Sequence, residues 1–419
     1  MNIFKPVAAV VLAMAVAAHA DPAPATTPYI DRLVSEALSK HPKIKAARAR
    51  TEAAFDAIAS VRLWQDPELG LGLTAASSRM REDDGDIRLT VDQALPRRGL
   101  FRAEQRRMTA EQQRQNADRL VTASELGLAI AQTVIELALA DDTLTLQDQE
   151  IRWLETITAT ALERAKNPES TAIEPLRLES ELAVRKQKLD AARRQRAQTA
   201  RTLNLLLLRN PNAAWPALTL AENSKGLNAA TLRAEMERNN PRLASLRHQI
   251  EAARAGTDEA REKTRPAFSG SIETNAWSGG EVRDAMFMLK WTLPWFNRRA
   301  YRADYSRSEH LRRAAENDAA AESRELYQRL TALVTEVENN TRLAETWRSE
   351  VLPKTSKTVE SFQNAWVSSK ATLTEVLESR RALIDAQQEQ KRATAAAQAA
   401  LQSIAAITGR LGNPNREKP

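Results

Sequence analysis

Apolar residues recur at helical spacing through most of the chain and alternate with polar residues in four short stretches. The helical pattern predicts long helices over 30–63, 99–165, 172–208, 228–263, 298–367 and 372–408. The alternating pattern predicts strands over 67–76, 86–94, 267–277 and 284–293. In the first, Leu69, Leu71 and Leu73 share one face. In the second, Ile87, Leu89 and Val91 oppose Arg88, Thr90 and Asp92. Phe268, Gly270 and Ile272 oppose Ser269, Ser271 and Glu273 in the third. In the fourth, Ala285, Phe287, Leu289, Trp291 and Leu293 oppose Met286, Met288, Lys290 and Thr292.

The order helix, two strands, very long helix, returning helix occurs twice. Pro42 matches Pro241, Pro67 matches Pro266, Leu95-Pro96 matches Leu293-Pro294, and Leu178-Glu179-Ser180 matches Leu377-Glu378-Ser379, each about 199 residues apart. The chain therefore reads as a tandem duplication, with a first repeat over 21–225, a second over 226–410 and a flexible tail over 411–419. Pro353 lies inside a helical pattern and predicts a kink.

A helix over 99–165 spans about 100 Å. Neither shorter helix of a repeat covers that length, so two of them stack end to end beside one long helix. Such a layer is one helix thick and must pack laterally into a larger assembly. The strands have the length of tilted membrane strands, although a soluble half-buried hairpin has the same periodicity. Four strands cannot close a barrel, whereas three copies of the chain give 12. The expected object is a homotrimeric channel, mainly α with a small membrane β part.

Composition narrows this further. Gly (12 residues) and aromatics (5%) are scarce, which favours helices over β modules, and the absence of Cys excludes disulfides and thiolate metal sites. Residues 1–20 carry Lys5, an apolar run from Val7 to Ala18 and an Ala18-His19-Ala20 cleavage pattern, a secretory signal peptide. No later run of 18 apolar residues is evident, leaving a β-barrel as the route into a membrane. The net charge of +7 is dispersed and does not point to nucleic acid. His41, His248 and His310 have no ligand spacing and read as surface or cap residues. No catalytic constellation or cofactor motif is present. Trp64, Trp277 and Trp291 lie near strand ends, where interfacial anchors belong.

The start SEALSKHPKIKAARA, the junctions DQALPRRGLFRAE and WTLPWFNRRAYRAD, and SSKATLTEVLESRRALIDAQ in the last helix together resemble the TolC-type outer-membrane efflux proteins. Ser369 stands where that family's last-helix signature has Gly. The resemblance implies a 12-stranded outer-membrane barrel continued by a long periplasmic α-helical barrel. It implies an exit duct of a tripartite pump, partnered by outer-membrane lipid, a periplasmic membrane-fusion adaptor and an inner-membrane RND-type transporter. The junctions look nearest the heavy-metal, cation-exporting branch. A drug efflux duct, a type I protein-secretion duct and a soluble periplasmic coiled-coil scaffold are the competing readings.

By the same resemblance Glu375 and Glu378 ring the periplasmic entrance. Their i, i+3 spacing places them on one helix face, and three copies make stacked carboxylate rings whose repulsion raises some of their pKa values. Trp366 matches an aromatic position of the family's closing network. The basic position of that network falls at Ala371, leaving Lys370 as the neighbouring cation. The bland alternative pairs the two glutamates with Arg380 or Arg381 on the helix surface. The turns at Asn167 and Glu169, and at Ser368 and Ser369, are the expected adaptor-docking tips.

Overall fold

The structure is a computed structural model describing residues 23–24, 27–73, 87–166, 173–221, 226–276 and 282–412. The segment expected to be a signal peptide and residues 413–419 of the expected tail lie outside these residues. Strands β2 (Glu68–Leu73) and β3 (Ile87–Ala94) come from the first half of the chain, and β5 (Phe268–Ala276) and β6 (Val282–Trp291) from the second. They form one antiparallel sheet in the order β2-β3-β5-β6, so the two halves meet where β3 pairs with β5. Strands β2 and β6 are its open edges. A separate parallel contact joins β1 (Ala23–Pro24) to β4 (Leu218–Thr219).

Each first helix of the sequence reading is two helices. Helix α1 (Thr27–Lys40) stops at His41 and α2 (Pro42–Ala59) begins after it; α5 (Ala229–Asn239) stops at Asn240 and α6 (Pro241–Lys263) follows. The residue before a proline is kept out of the helical basin by the ring. His41 accordingly has ψ 132° and Asn240 ψ 121°. Both then cap the next helix: His41 Nδ1 accepts from Lys43 N at 3.2 Å and Asn240 Oδ1 from Leu243 N at 3.0 Å.

Helix α3 (Arg98–Arg164) runs unbroken for 67 residues, and α4 (Ile173–Leu206) returns beside it. In the second half the long element is α7 (Arg298–Thr346), a π turn (Trp347–Val351) and α8 (Leu352–Val367), with α9 (Leu373–Ile407) returning. Pro353 explains the π turn. It offers no N–H, and its ring collides with the carbonyl four residues back at Ser349, so the ladder widens just ahead of it.

The helices form a wall one layer thick. Helices α2 and α4 lie along α3, α6 lies between α3 and α7, and α9 lies between α3 and the α7–α8 pair. Helix α3 carries an apolar window long enough to cross a bilayer, contrary to the sequence expectation, but 61% of that window is buried within the wall. Ile130, Val134 and Leu137 of that helix pack on Leu33, Val34 and Leu203. On α7, by contrast, the buried residues are Ala315, Leu330, Val334 and Val337. One long face of α7 is left open.

The returning helices end alike. Arg209 N reaches back to Asn204 O at 2.8 Å, and Arg410 N to Ala405 O at 2.8 Å. Each closure requires a left-handed residue, Leu208 at φ 56° and Gly409 at φ 67°. Gly fits this conformation without cost, whereas a branched residue is strained by roughly 1–2 kcal/mol. Leu208 is 48% exposed and loses little packing when shortened. Leu208→Gly is therefore expected to raise stability by about 1 kcal/mol. Gly409→Ala sets a Cβ 2.3 Å from Asn239 O and is expected to lower it by more than about 1 kcal/mol. Thermal unfolding midpoints of the two variants check both signs.

Candidate functional site

In an antiparallel pair, directly opposed residues share a face. The register therefore sorts the sheet into rows. Leu69, Val91, Ile272 and Phe287 form one continuous row across all four strands. Leu71, Leu89, Thr274 and Ala285 form the next row on the same face. The opposite face carries Gly70, Thr90, Glu273 and Met286 in one row, and Gly72, Arg88, Asn275 and Asp284 in another.

The first face is apolar and open, with Leu69 80% and Phe287 78% exposed. Each such side chain kept in water forgoes about 1.5–3 kcal/mol. A band of this size demands a cover. The second face is polar and internally paired. Arg88 Nε lies 2.9 Å from Glu273 Oε1 and Lys290 Nζ 2.6 Å from Asp92 Oδ1. Asn275 Nδ2 donates to Asp284 Oδ1 at 2.9 Å. An apolar outside and an ion-paired inside are what a barrel wall around water requires.

At the far end, α8 closes and α9 opens within a few residues. Lys370 N donates to Ala365 O at 2.7 Å and Ser369 N to Trp366 O at 2.9 Å, while Ser369 takes φ 61°. This is the glycine-type helix stop, with Ser in the glycine position. Thr372 then caps α9: its Oγ1 accepts from Glu375 N at 3.3 Å, and Glu375 Oε2 accepts from Thr372 N at 2.7 Å. The backbone N–H of Thr372, then its hydroxyl, hold the Glu375 carboxyl below the usual carboxylate range. A depressed value means that the cap stabilises α9 above the ordinary carboxyl pKa and is lost as pH falls through the lowered one.

Glu378 is exposed, makes no ion pair among the described residues, and lies on the same side of α9 as Glu375. The pairing with Arg380 or Arg381 does not form. Arg380 Nε instead meets the buried Glu150 at 2.7 Å and its guanidinium stacks on Trp153, while Arg381 meets Glu181 at 2.9 Å. The exposed Lys370 ammonium likewise reaches neither glutamate within the chain; its backbone N–H is what the turn uses.

The cation at the tip is Arg164, the last residue of α3. Its guanidinium lies 4.7 Å from the Trp366 ring centroid, and its Nη atoms donate to Trp366 O at 2.8 Å and Ser369 Oγ at 3.0 Å. Trp366 itself is 1% exposed, packed among Leu154, Ile157, Leu178 and Val376. Ser368 Oγ bonds back to Asn364 O at 3.0 Å. Asn167 and Glu169 lie outside the described residues. The only local signal for Arg164 is a basic residue in the last turn of a long helix, which suits the helix dipole but does not reveal its aromatic partner on α8.

Two expectations follow. Thr372→Ala removes the cap, costing about 1 kcal/mol and raising the Glu375 pKa toward its ordinary value; unfolding at pH 7 and a carboxyl titration by NMR measure the two effects. Met286 and Phe287 are neighbours on opposite faces, so Phe287→Lys is expected to cost about 2–4 kcal/mol in the membrane while Met286→Lys is tolerated. Equal losses of folded, membrane-extracted protein would contradict the assignment of faces.

Sequence comparison finds no match among curated proteins. The outer-membrane channel OprN superposes with a TM-score of 0.79 at 15% identity, over 92% of this chain and 91% of that one. VceC, an outer membrane protein of Vibrio cholerae, gives 0.77 at 15% identity over 91% and 96%, and CusC, described as forming a transmembrane channel, gives 0.73 at 15% over 90% and 91%. These likenesses speak for the fold. A family model for outer membrane efflux proteins matches residues 33–207 and again 232–410. The chain belongs to the outer membrane efflux protein family.

Proposed function

We propose that three copies of this chain close a 12-stranded barrel in the outer membrane, continued by a periplasmic tube of helices, as the exit duct of a tripartite efflux pump. One observation carries the reading: a four-stranded sheet, apolar outside and polar inside, whose edge strands β2 and β6 are both open. Backbone groups on open edges have no partners in hydrocarbon, so a membrane sheet must close on itself. The antiparallel order puts β6 of one copy in position to pair with β2 of the next. The helical wall ends at the same borders, with α2 and α4 on one side and the open face of α7 on the other.

Transport through such a duct needs no covalent chemistry, and the protein acts by electrostatic selection and by opening or closing its tip. The exposed Glu375 and Glu378 support a cation-selecting entrance. The resemblance of the strand-to-helix junctions to the cation-exporting branch supports metal cations as substrate, with metal specificity set by the transporter and adaptor. A periplasmic adaptor docks at the tips around Ser368 and Ser369, and an inner-membrane RND-type transporter supplies the substrate.

The test is purification in mild detergent followed by single-channel recording. A particle of three chains with cation-preferring conductance is expected, and Glu375→Gln with Glu378→Gln is expected to reduce the preference. A stable monomer would overturn the duct, while a trimer indifferent to the double substitution would overturn only the role of the glutamates. Loss of metal resistance in a deletion strain, with drug resistance unchanged, is the expected substrate result.

A further inference from the structure

The two strand-to-helix junctions carry an unusual charge distribution. Helices α3 and α7 both begin with arginine and have no acidic residue in their first turn. A helix N-terminus carries about half a positive charge, so arginines there are electrostatically unfavourable unless an anion is supplied. At α3 the Glu262 carboxylate, which also pairs with Arg265, lies against Gly99 and supplies part of it. Arg97 is accounted for: its guanidinium donates to the carbonyls of Glu262 and Arg265 and closes the end of α6. Arg98 and Arg102 of α3, and Arg298, Arg299 and Arg302 of α7, are exposed and have no hydrogen bond or ion pair from their side chains among the described residues. Beyond them several arginines of the same helices are paired, Arg106 with Asp258, Arg107 with Glu259, Arg307 with Asp304 and Arg312 with Glu309, although Arg324, Arg329 and Arg342 far down α7 are exposed without a partner among the described residues.

The unpaired set begins where the apolar face of the sheet ends. Trp291 is on the outward row side of β6, since it alternates with Phe287 and Leu289, and it is 56% exposed. Four residues on, Trp295 and then Phe296 are exposed in the short 3-10 turn that leads into Arg298. Trp64, which precedes β2, is exposed as well. Indole rings favour the interface between hydrocarbon and headgroups, and arginines just beyond them meet phosphates. Exposure of the α7 arginines on an open helix edge is not the whole explanation. Arg98 and Arg102 belong to α3, which is flanked on both sides by α2 and α6, and they are exposed and unpaired too.

We propose that this aromatic and arginine collar binds the headgroups of anionic phospholipids in the leaflet facing the helical tube. The surface is continuous with the apolar band that the outer-membrane assignment places in lipid. It fixes the depth of the barrel: tryptophans sit at the hydrocarbon boundary, and arginines hold phosphates one helix turn below. Each arginine at an anionic surface strengthens attachment roughly fivefold. The inference rests on the barrel reading above.

The experiment uses the detergent-purified trimer, with phosphatidylglycerol or phosphatidylcholine added, and counts bound lipid by native mass spectrometry. Wild type is expected to retain phosphatidylglycerol about tenfold more tightly than phosphatidylcholine. Arg298→Gln with Arg299→Gln and Arg302→Gln is expected to abolish most of that preference, and Arg98→Gln with Arg102→Gln to reduce it. Arg313→Gln, a residue paired with Glu309 farther along α7, serves as the control and is expected to leave it unchanged. If a triple variant does not assemble, the double variant in α3 decides. A trimer with no phosphatidylglycerol preference, or variants that keep it while their single-channel charge selectivity changes, would place the arginines in the lumen and overturn the proposal. Failure of wild type to form a trimer would instead overturn the duct itself.

Discussion

Backbone hydrogen bonding at the two sheet edges governs the architecture. In water an open edge strand is solvated, but in hydrocarbon each unpaired N–H or C=O costs several kcal/mol. The sheet presents Leu69, Leu71, Phe287 and Leu289 outward, which commits it to lipid and so makes its edges untenable alone. The proposed pairing of β6 with β2 of another copy would remove both problems. The helical wall likewise has open borders, at α2 and α4 on one side and along α7 on the other.

The tip is built differently, from local helix chemistry. The helix stop at Ser369 and the capping box at Thr372 fix the turn between α8 and α9 within the chain, before any neighbour is present. Arg164 then ties that turn to the end of α3 through Trp366. Above it, the Glu150–Arg380 pair is almost fully buried and stacks on Trp153. A buried pair of this kind adds little net stability, yet removing one partner strands the other charge, typically at 3–5 kcal/mol. It therefore fixes how α9 is rotated against α3, and with it the direction in which Glu375 and Glu378 point.

The strands, the long helices and their repeated order were legible because period-two and period-3.6 patterns survive without tertiary information, and Leu69 through Leu73 or Phe287 through Trp291 state their face outright. What the pattern hides is a break that leaves the apolar face unchanged. His41 and Asn240 interrupt helices whose hydrophobic spacing continues across them, and only the following proline marks the site. Glu375 was legible as an acidic residue on the tip helix. Its capping bond to Thr372 was equally present in the Thr-x-x-Glu spacing, yet the family resemblance directed attention to a ring of carboxylates. Arg164 was not legible from the motif around Trp366, since its partner lies on a different helix about two hundred residues away.

The most direct measurement of edge closure exploits a sequence without cysteine. Leu71→Cys on β2 is combined in turn with Cys at Phe287, Leu289 or Trp291 on β6, and membranes are oxidised before denaturing electrophoresis. The account predicts that at least one pair locks three chains together, in a product that a reductant returns to monomer. Cross-linking confined within single chains, or none in any pair while the protein remains membrane-embedded, would contradict closure between copies.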